Sequence, residues 1–295
     1  MSVAVIGASG MVGTAVVRAL AARDPSVKAS VRRPEAADLV RAAGAKVAVG
    51  QLDDPVFLAA VLGGAETVCH LAGAANEPNE HAYDAGSRAS LEQVLHTAKS
   101  VGVRRVLLLS AFGAAPEASN PFLRAKGRAE RLLSSSGLEH SVLRVAPVYG
   151  LGGFWFAATV VLSELVPPAV AGEVHRLLAP VFVDDVAAAF AALDDLADPP
   201  AGPLALAGPD RLSAGALATK ISGRSDVRSL VPVHAHAALV HALERPVSQM
   251  AMELLCASGV PEPGLPDAAA VLGLRPTPLD EGLARVAALA SGEEG

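Results

Sequence analysis

The chain opens with an apolar run, Val3–Ile6, that passes without a break into Gly7-Ala-Ser-Gly10-Met-Val-Gly13. Directly after it, Val12, Ala15, Val16, Ala19 and Leu20 recur at helical spacing and share one face. Strand, glycine turn and helix in that order leave few folds open. Gly7 permits a tight turn, Gly10 lets a ligand approach the amides at the helix start, and Gly13 lets helix and strand pack closely. Those amides carry partial positive charge and lack intrahelical acceptors, so the ligand expected there is a diphosphate. Ser9, Met11 and Val12 lie in the same turn and join the three glycines as expected cofactor-binding residues.

The first half of the chain keeps this texture. Short apolar runs at Val3–Ile6, Val27–Val31, Val47–Val49, Thr67–Leu71, Val106–Leu109 and Ser141–Val145 alternate with helical patterns. Alternation of that kind predicts an α/β fold with a doubly wound, Rossmann-like parallel sheet covered on both faces. After Gly150 prolines and glycines become frequent, and strand patterns thin to Leu178–Val183 and Leu204–Ala207. Residues 1–150 are therefore expected to bind the dinucleotide, with residues 178–210 packing back on them. Residues 151–177 and 211–295 are expected to form a small, mostly helical cap on the substrate side, with a frayed tail over residues 291–295.

Composition sets the outer limits. A formal net charge of -6 argues against a nucleic-acid binder. Cys69 and Cys256 lie far apart and outside any CxxC pair, which fits a reducing, cytoplasmic setting without structural metal. No basic stretch precedes the first apolar run, so no signal peptide is expected. The apolar segment from Gly150 to Val166 is interrupted by Glu164 and Pro167-Pro168 before reaching membrane-spanning length. It reads as a helix beside a pocket.

The second strand ends in Val31-Arg32-Arg33-Pro34. That tip faces the adenosine ribose in a Rossmann unit, where an acid would bind the 2′-hydroxyl of NAD. A guanidinium fork suits a 2′-phosphate instead, so NADP(H) is favoured, NAD(H) remaining possible. Arg32 is the first choice, Arg33 the second. The third strand leads to Gln51 and Leu52, placed for the adenine edge, and to Asp54-Pro55, which reads as a helix cap.

An ordered set of motifs resembles the NmrA-like group of atypical short-chain dehydrogenases over roughly residues 2–210. The set comprises the glycine turn, Val31-Arg-Arg-Pro34, His70-Leu71-Ala72-Gly73, Leu108-Leu109-Ser110, Leu143-Arg-Val-Ala146-Pro147-Val-Tyr149-Gly150 and Val181-Phe-Val-Asp184-Asp185-Val-Ala187. The resemblance implies that Leu71, Ala72 and Gly73 run beside the pyrophosphate and ribose, and that Ala146 and Pro147 lie near the nicotinamide. It also implies that Asp184 and Asp185 cap the helix that follows them.

Over Pro121–Ser136, Phe122, Lys126, Ala129 and Leu133 share one helical face. A lysine in an apolar stripe must find partners, and nicotinamide-ribose hydroxyls would serve. In the resembling family a tyrosine often stands four positions before this lysine and exchanges the proton of a carbonyl substrate. Here that position is Phe122, so Ser110 and Lys126 are the remaining catalytic candidates. Three readings follow: an NADP(H)-dependent reductase of a small hydrophobic quinone, enone or carbonyl; a non-catalytic NADP(H) sensor with a protein partner; or a protein carrying the dinucleotide structurally. A homodimer is compatible with each. Phe122, Tyr149, Phe154 and Trp155 are the expected substrate-pocket residues, Tyr149 being a possible replacement phenol. His234, His236 and His241 are poorly spaced for a metal and read as surface residues.

Overall fold

Seven strands pair in parallel in the computed structural model, which describes residues 2–292. Six of them are β1 (Val3–Ile6), β2 (Lys28–Val31), β3 (Lys46–Val49), β4 (Thr67–His70), β5 (Arg105–Ala111) and β6 (Glu139–Val145). They run in the order β3-β2-β1-β4-β5-β6, and Pro203–Leu206 adds an edge strand beside β6. The order reverses between β1 and β4, which opens a crevice at their carboxyl ends.

Alternating with the strands are α1 (Met11–Ala21), α2 (Ala37–Ala42), α3 (Pro55–Leu62), α4 (Glu80–Asp84), α5 (Ser90–Val101) and α6 (Pro121–Ser134). Further along come α7 (Phe154–Ser163) and α8 (Val183–Asp195). Side chains from α1, α2 and α8 bury one face of the sheet, and those from α3, α5 and α6 bury the other. Strands such as β1 and β4 are buried along their whole length, as expected of a parallel sheet covered on both sides. Asp54 caps α3, accepting from Val56 N at 2.9 Å and Phe57 N at 3.2 Å, with Pro55 at the first helical position.

Residues 183–206 return to the main layer through α8, which lies on α1, and through the edge strand. The apolar run Leu178–Val183 does not make one strand. Pro180 has no amide to donate, and the segment divides into Leu177–Leu178 and Val181–Phe182 before Val183 starts α8. Asp184 and Asp185 lie inside the first turn of α8 and do not cap it. Asp185 reaches out to Thr277, accepting from its amide and hydroxyl at 2.8 Å each.

The remainder forms α9 (Ala214–Ser222), which contacts α7 but buries Ala214, Leu217 and Ala218 in the main core, and α10 (Pro232–Leu243) and α11 (Gln249–Cys256), which gather with α7 around a separate apolar centre. A short strand, Arg228–Leu230, interrupts the region expected to be helical and pairs with Ala169–Ala171. Finally α12 (Ala268–Leu272) and α13 (Leu279–Ser291) run back to the main layer. Of the tail expected to fray, Ser291 ends α13, and residues 293–295 lie outside the described residues. No helix among the described residues is long and apolar enough to cross a membrane.

Arg105, wholly buried on β5, secures the far end of α8. Its guanidinium donates to the carbonyls of Leu193 at 3.3 Å, Asp194 at 2.8 Å and Ala197 at 3.2 Å, and pairs with Glu139. Replacing it by Met leaves those acceptors without a donor, so Arg105→Met should cost about 2–4 kcal/mol in urea denaturation.

Candidate functional site

Strand register brings the site together. Ile6 stands level with His70, and His70 with Leu108, so the segments after β1, β4 and β5 emerge side by side. Gly7 has φ 84°, and a Cβ there would lie 2.7 Å from the Ala72 amide nitrogen. A Cβ on Gly13 would collide with the Gly7 carbonyl oxygen. Gly10 differs: the nearest atom to a Cβ there is the Gly7 oxygen at 3.8 Å, and the residue is exposed beside Ser9. Gly10 opens α1 without a side-chain cap, and no acid occupies the first turn. The amides of Met11 and Val12, at the first two helical positions, thus await an external acceptor, which is what a diphosphate provides.

Arg32 and Arg33 are exposed at the carboxyl end of β2, and Gln51 and Leu52 follow the adjacent β3. Glu77, in the segment after β4, has its carboxyl raised by burial while the Arg32 guanidinium pulls it down. Ala146 is buried and donates its amide to Leu206 O at 2.9 Å. Pro147 is half-buried, with Gly259 of the cap against its ring.

Lys126 is 2% exposed, and its ammonium donates to Ala72 O at 2.9 Å and Leu109 O at 3.0 Å. It ties the segment after β4 to β5 itself beneath Gly73, whose φ is 108°. Burial lowers its pKa to about 8, with Glu130 pulling the other way. An ammonium has three donors, so one remains. His70 lies close by, buried and neutral: burial, then the Lys126 charge, lowers it to about 3.

Ser110 does not join Lys126 as a free hydroxyl. It is 1% exposed and donates to Glu130, which holds Arg144 through contacts of 3.0 and 2.7 Å. Arg144 in turn donates to Glu262 at 2.8 Å, and Glu262 also accepts from the Gly113 amide. The Ser110 hydroxyl is thus committed to a half-buried carboxylate.

The expected pocket residues separate. Phe122 stands near the crevice, with the Lys126 ammonium 5.8 Å from its ring centre. Tyr149 is corrected: it is 1% exposed, packed on Phe156 and Phe182, with its hydroxyl pressed against Gly282. Burial raises that phenol well above its ordinary range, and it neither walls a pocket nor replaces a catalytic tyrosine. Phe154 and Trp155 are half-buried at the start of α7 and face the cap centre, Phe154 lying under Arg245 at 5.4 Å.

Residues 7–149 match the NAD(P)H-binding protein family. Residues 7–149 thus form an NAD(P)H-binding domain on a Rossmann-like sheet. It is 29% identical over 154 residues to the uncharacterized sugar epimerase YhfK of Bacillus subtilis, spanning 49% of this chain and 71% of that protein. It is 30% identical over 134 residues to the NAD(P)H azoreductase of Xenophilus azovorans, spanning 45% of this chain and 44% of that protein. Its fold is similar to the NADPH-dependent quinone oxidoreductase QOR2 of Escherichia coli complexed with NADPH, with TM-score 0.74, 23% identity and coverage of 96% and 99%.

In this NAD(P)H-binding protein several site-bordering residues escape sequence reading. Tyr83 meets Phe122 edge-on at 6.0 Å, and Met250 and Leu254 of α11 pack onto the same pair. Glu130 falls four residues after Lys126, a helical neighbour that spacing alone could have flagged. Glu262, framed by Pro261 and Pro263, left no signal beyond that framing.

Because the Lys126 pKa is depressed on folding, the folded chain releases this proton before the unfolded chain does. Its charge opposes folding below pH 8, and the penalty fades as pH rises toward the ordinary lysine value. Stability of wild type relative to Lys126→Met should rise between pH 7.5 and 9.5 by on the order of 1–2 kcal/mol, read by urea denaturation. A flat difference would refute the burial argument.

Proposed function

We propose that this chain is an NADPH-dependent reductase that delivers hydride to a small, uncharged, apolar acceptor such as a quinone or conjugated alkene. One observation carries the reading: the polar side chains at the Phe122 cluster already have partners within the protein. Tyr83 donates to Ala75 O at 3.1 Å, and Asn120, which caps the helix of Phe122, donates to Met250 O at 3.0 Å and Glu253 at 2.8 Å. A nucleotide sugar needs many directed hydrogen bonds, and this wall offers few; an apolar ring needs none. Lys126 keeps one donor for the ribose or the acceptor.

The bound nicotinamide would supply a hydride. The Met11 and Val12 amides would hold the diphosphate, Arg32 the 2′-phosphate, and the Leu71–Gly73 and Ala146–Pro147 segments the nicotinamide end. Residues 1–150 with 178–210 would thereby hold the cofactor, and residues 151–177 and 211–295 would cover the acceptor. Reduction of a quinone adds one hydride and one proton to give the hydroquinone. The anion left after hydride addition is delocalised, so Phe122 in place of a phenol donor is tolerable, whereas a simple ketone would leave a localised alkoxide. The azoreductase and the quinone oxidoreductase among the similar proteins agree with this class. The commitment of Ser110 to Glu130 and the phenyl at position 122 also favour a second reading, a non-catalytic NADPH sensor.

Two measurements decide. NADPH should bind about tenfold or more tightly than NADH, and Arg32→Ala should remove most of that difference; equal affinities would defeat the phosphate assignment. Protein with NADPH should turn over members of a quinone, enone and azo-dye panel. Tight NADPH binding without turnover of any of them leaves the sensor.

A further inference from the structure

Helix α11 packs on the Phe122 cluster. Its Met250 and Leu254 are half-buried and pack on the cluster of Tyr83, Phe122 and Ala125, on which Ala75 and Ala111 also pack, so these two cap residues join the start of α6 in one apolar cluster. Lys126, from the same α6, is in contact with the Phe122 ring. Phe122 is therefore packed between α4 and α11 beside the Lys126 ammonium.

The helix is fastened at this height from both ends. Ahead of it, Asn76 donates to Pro246 O at 3.0 Å and accepts from Ser248 N at 2.9 Å, while Tyr83 hydroxyl meets Ser248 hydroxyl at 3.2 Å. Along it, Asn120 grips Met250 O and Glu253. Beyond it, Glu262 is received by Gly113 and Arg144. Every anchor sits on a segment leaving β4 or β5, on β6 itself, or at the start of α6. The fastening is polar and directional, whereas the surface it presents is an adaptable thioether and an aliphatic side chain.

We propose that Met250 and Leu254 are the residues that determine acceptor size, α11 being held as a fixed bar with a deformable underside. This rests on the reductase reading of the site. With the anchors intact the backbone of α11 stays in place, and the volume available to a ring is set by how far these two side chains yield. Truncating them enlarges the space; a larger, stiffer side chain at 250 reduces it.

The test uses the full chain with NADPH and three acceptors of growing ring count, 1,4-benzoquinone, 1,4-naphthoquinone and 9,10-phenanthrenequinone. Met250→Ala and Leu254→Ala should each raise kcat/KM for the three-ring acceptor relative to benzoquinone by about tenfold, chiefly through KM. Met250→Phe should lower that ratio, and Met250→Leu should leave it near wild type. Dissociation constants for NADPH should stay within about twofold throughout, since the cradle is built elsewhere. A second readout is calorimetric titration of 1,4-naphthoquinone into protein loaded with NADP+, where no turnover occurs; Met250→Phe should weaken binding. Quinone reduction with an unchanged size ratio in the Ala and Phe variants overturns the role of α11 and leaves the reductase reading standing. Wild type that binds NADPH yet neither binds nor reduces any of the three overturns both.

Discussion

Close backbone approach between the turn after β1 and the segment after β4 is the constraint on which the rest of the site depends. Gly7 and Ala72 come near enough that a single methyl group would separate them, and Gly13 seats α1 on the Gly7 carbonyl. Only then do the first amides of α1 point into the crevice, and only then does Gly73 lie over Lys126. Lys126 completes the arrangement by holding the carbonyls of Ala72 and Leu109 at once. One buried cation thus fixes the spacing of two segments that a bound dinucleotide would have to pass between.

Charge elsewhere around the crevice is withdrawn into pairs. Glu130 satisfies both Ser110 and Arg144, and Glu262 satisfies Arg144 and the Gly113 amide. Half-buried ion pairs of this kind contribute little net stability, because desolvation offsets much of the attraction, but they fix geometry. Their effect is subtractive: Ser110, Glu130, Arg144 and Glu262 face one another.

Much of the frame was legible in the sequence because it is local. The glycine turn, the strand alternation and the Asp54 cap depend on residues within one supersecondary unit, and spacing reports them. Lys126 was legible because a cation inside an apolar stripe breaks a period. Tyr149 was misread because its burial depends on Gly282, more than a hundred residues away, and no local pattern records that a hydroxyl will meet a glycine on a distant helix. Asp184 and Asp185 were misread for a related reason: adjacency to a helix start suggests capping, whereas Asp185 is committed to Thr277. Residues on α11 were invisible as site residues, since Met250 and Leu254 look like ordinary core spacing until the chain is folded back over Phe122.

The last stretch of chain does not hang from the cap. Thr277 is tied to Asp185, the Leu279 amide to Asp210 at 2.7 Å, and α13 presses Gly282 onto Tyr149 beneath the sheet edge. The cap is consequently an excursion that leaves the main layer and is stitched back into it, with both of its ends immobilised on the same body. Such a segment has no single hinge about which to rotate. Whatever movement admits a ligand must be accommodated within it, by side chains or by one helix turning in place, so opening is a matter of local compliance and not of two bodies swinging apart.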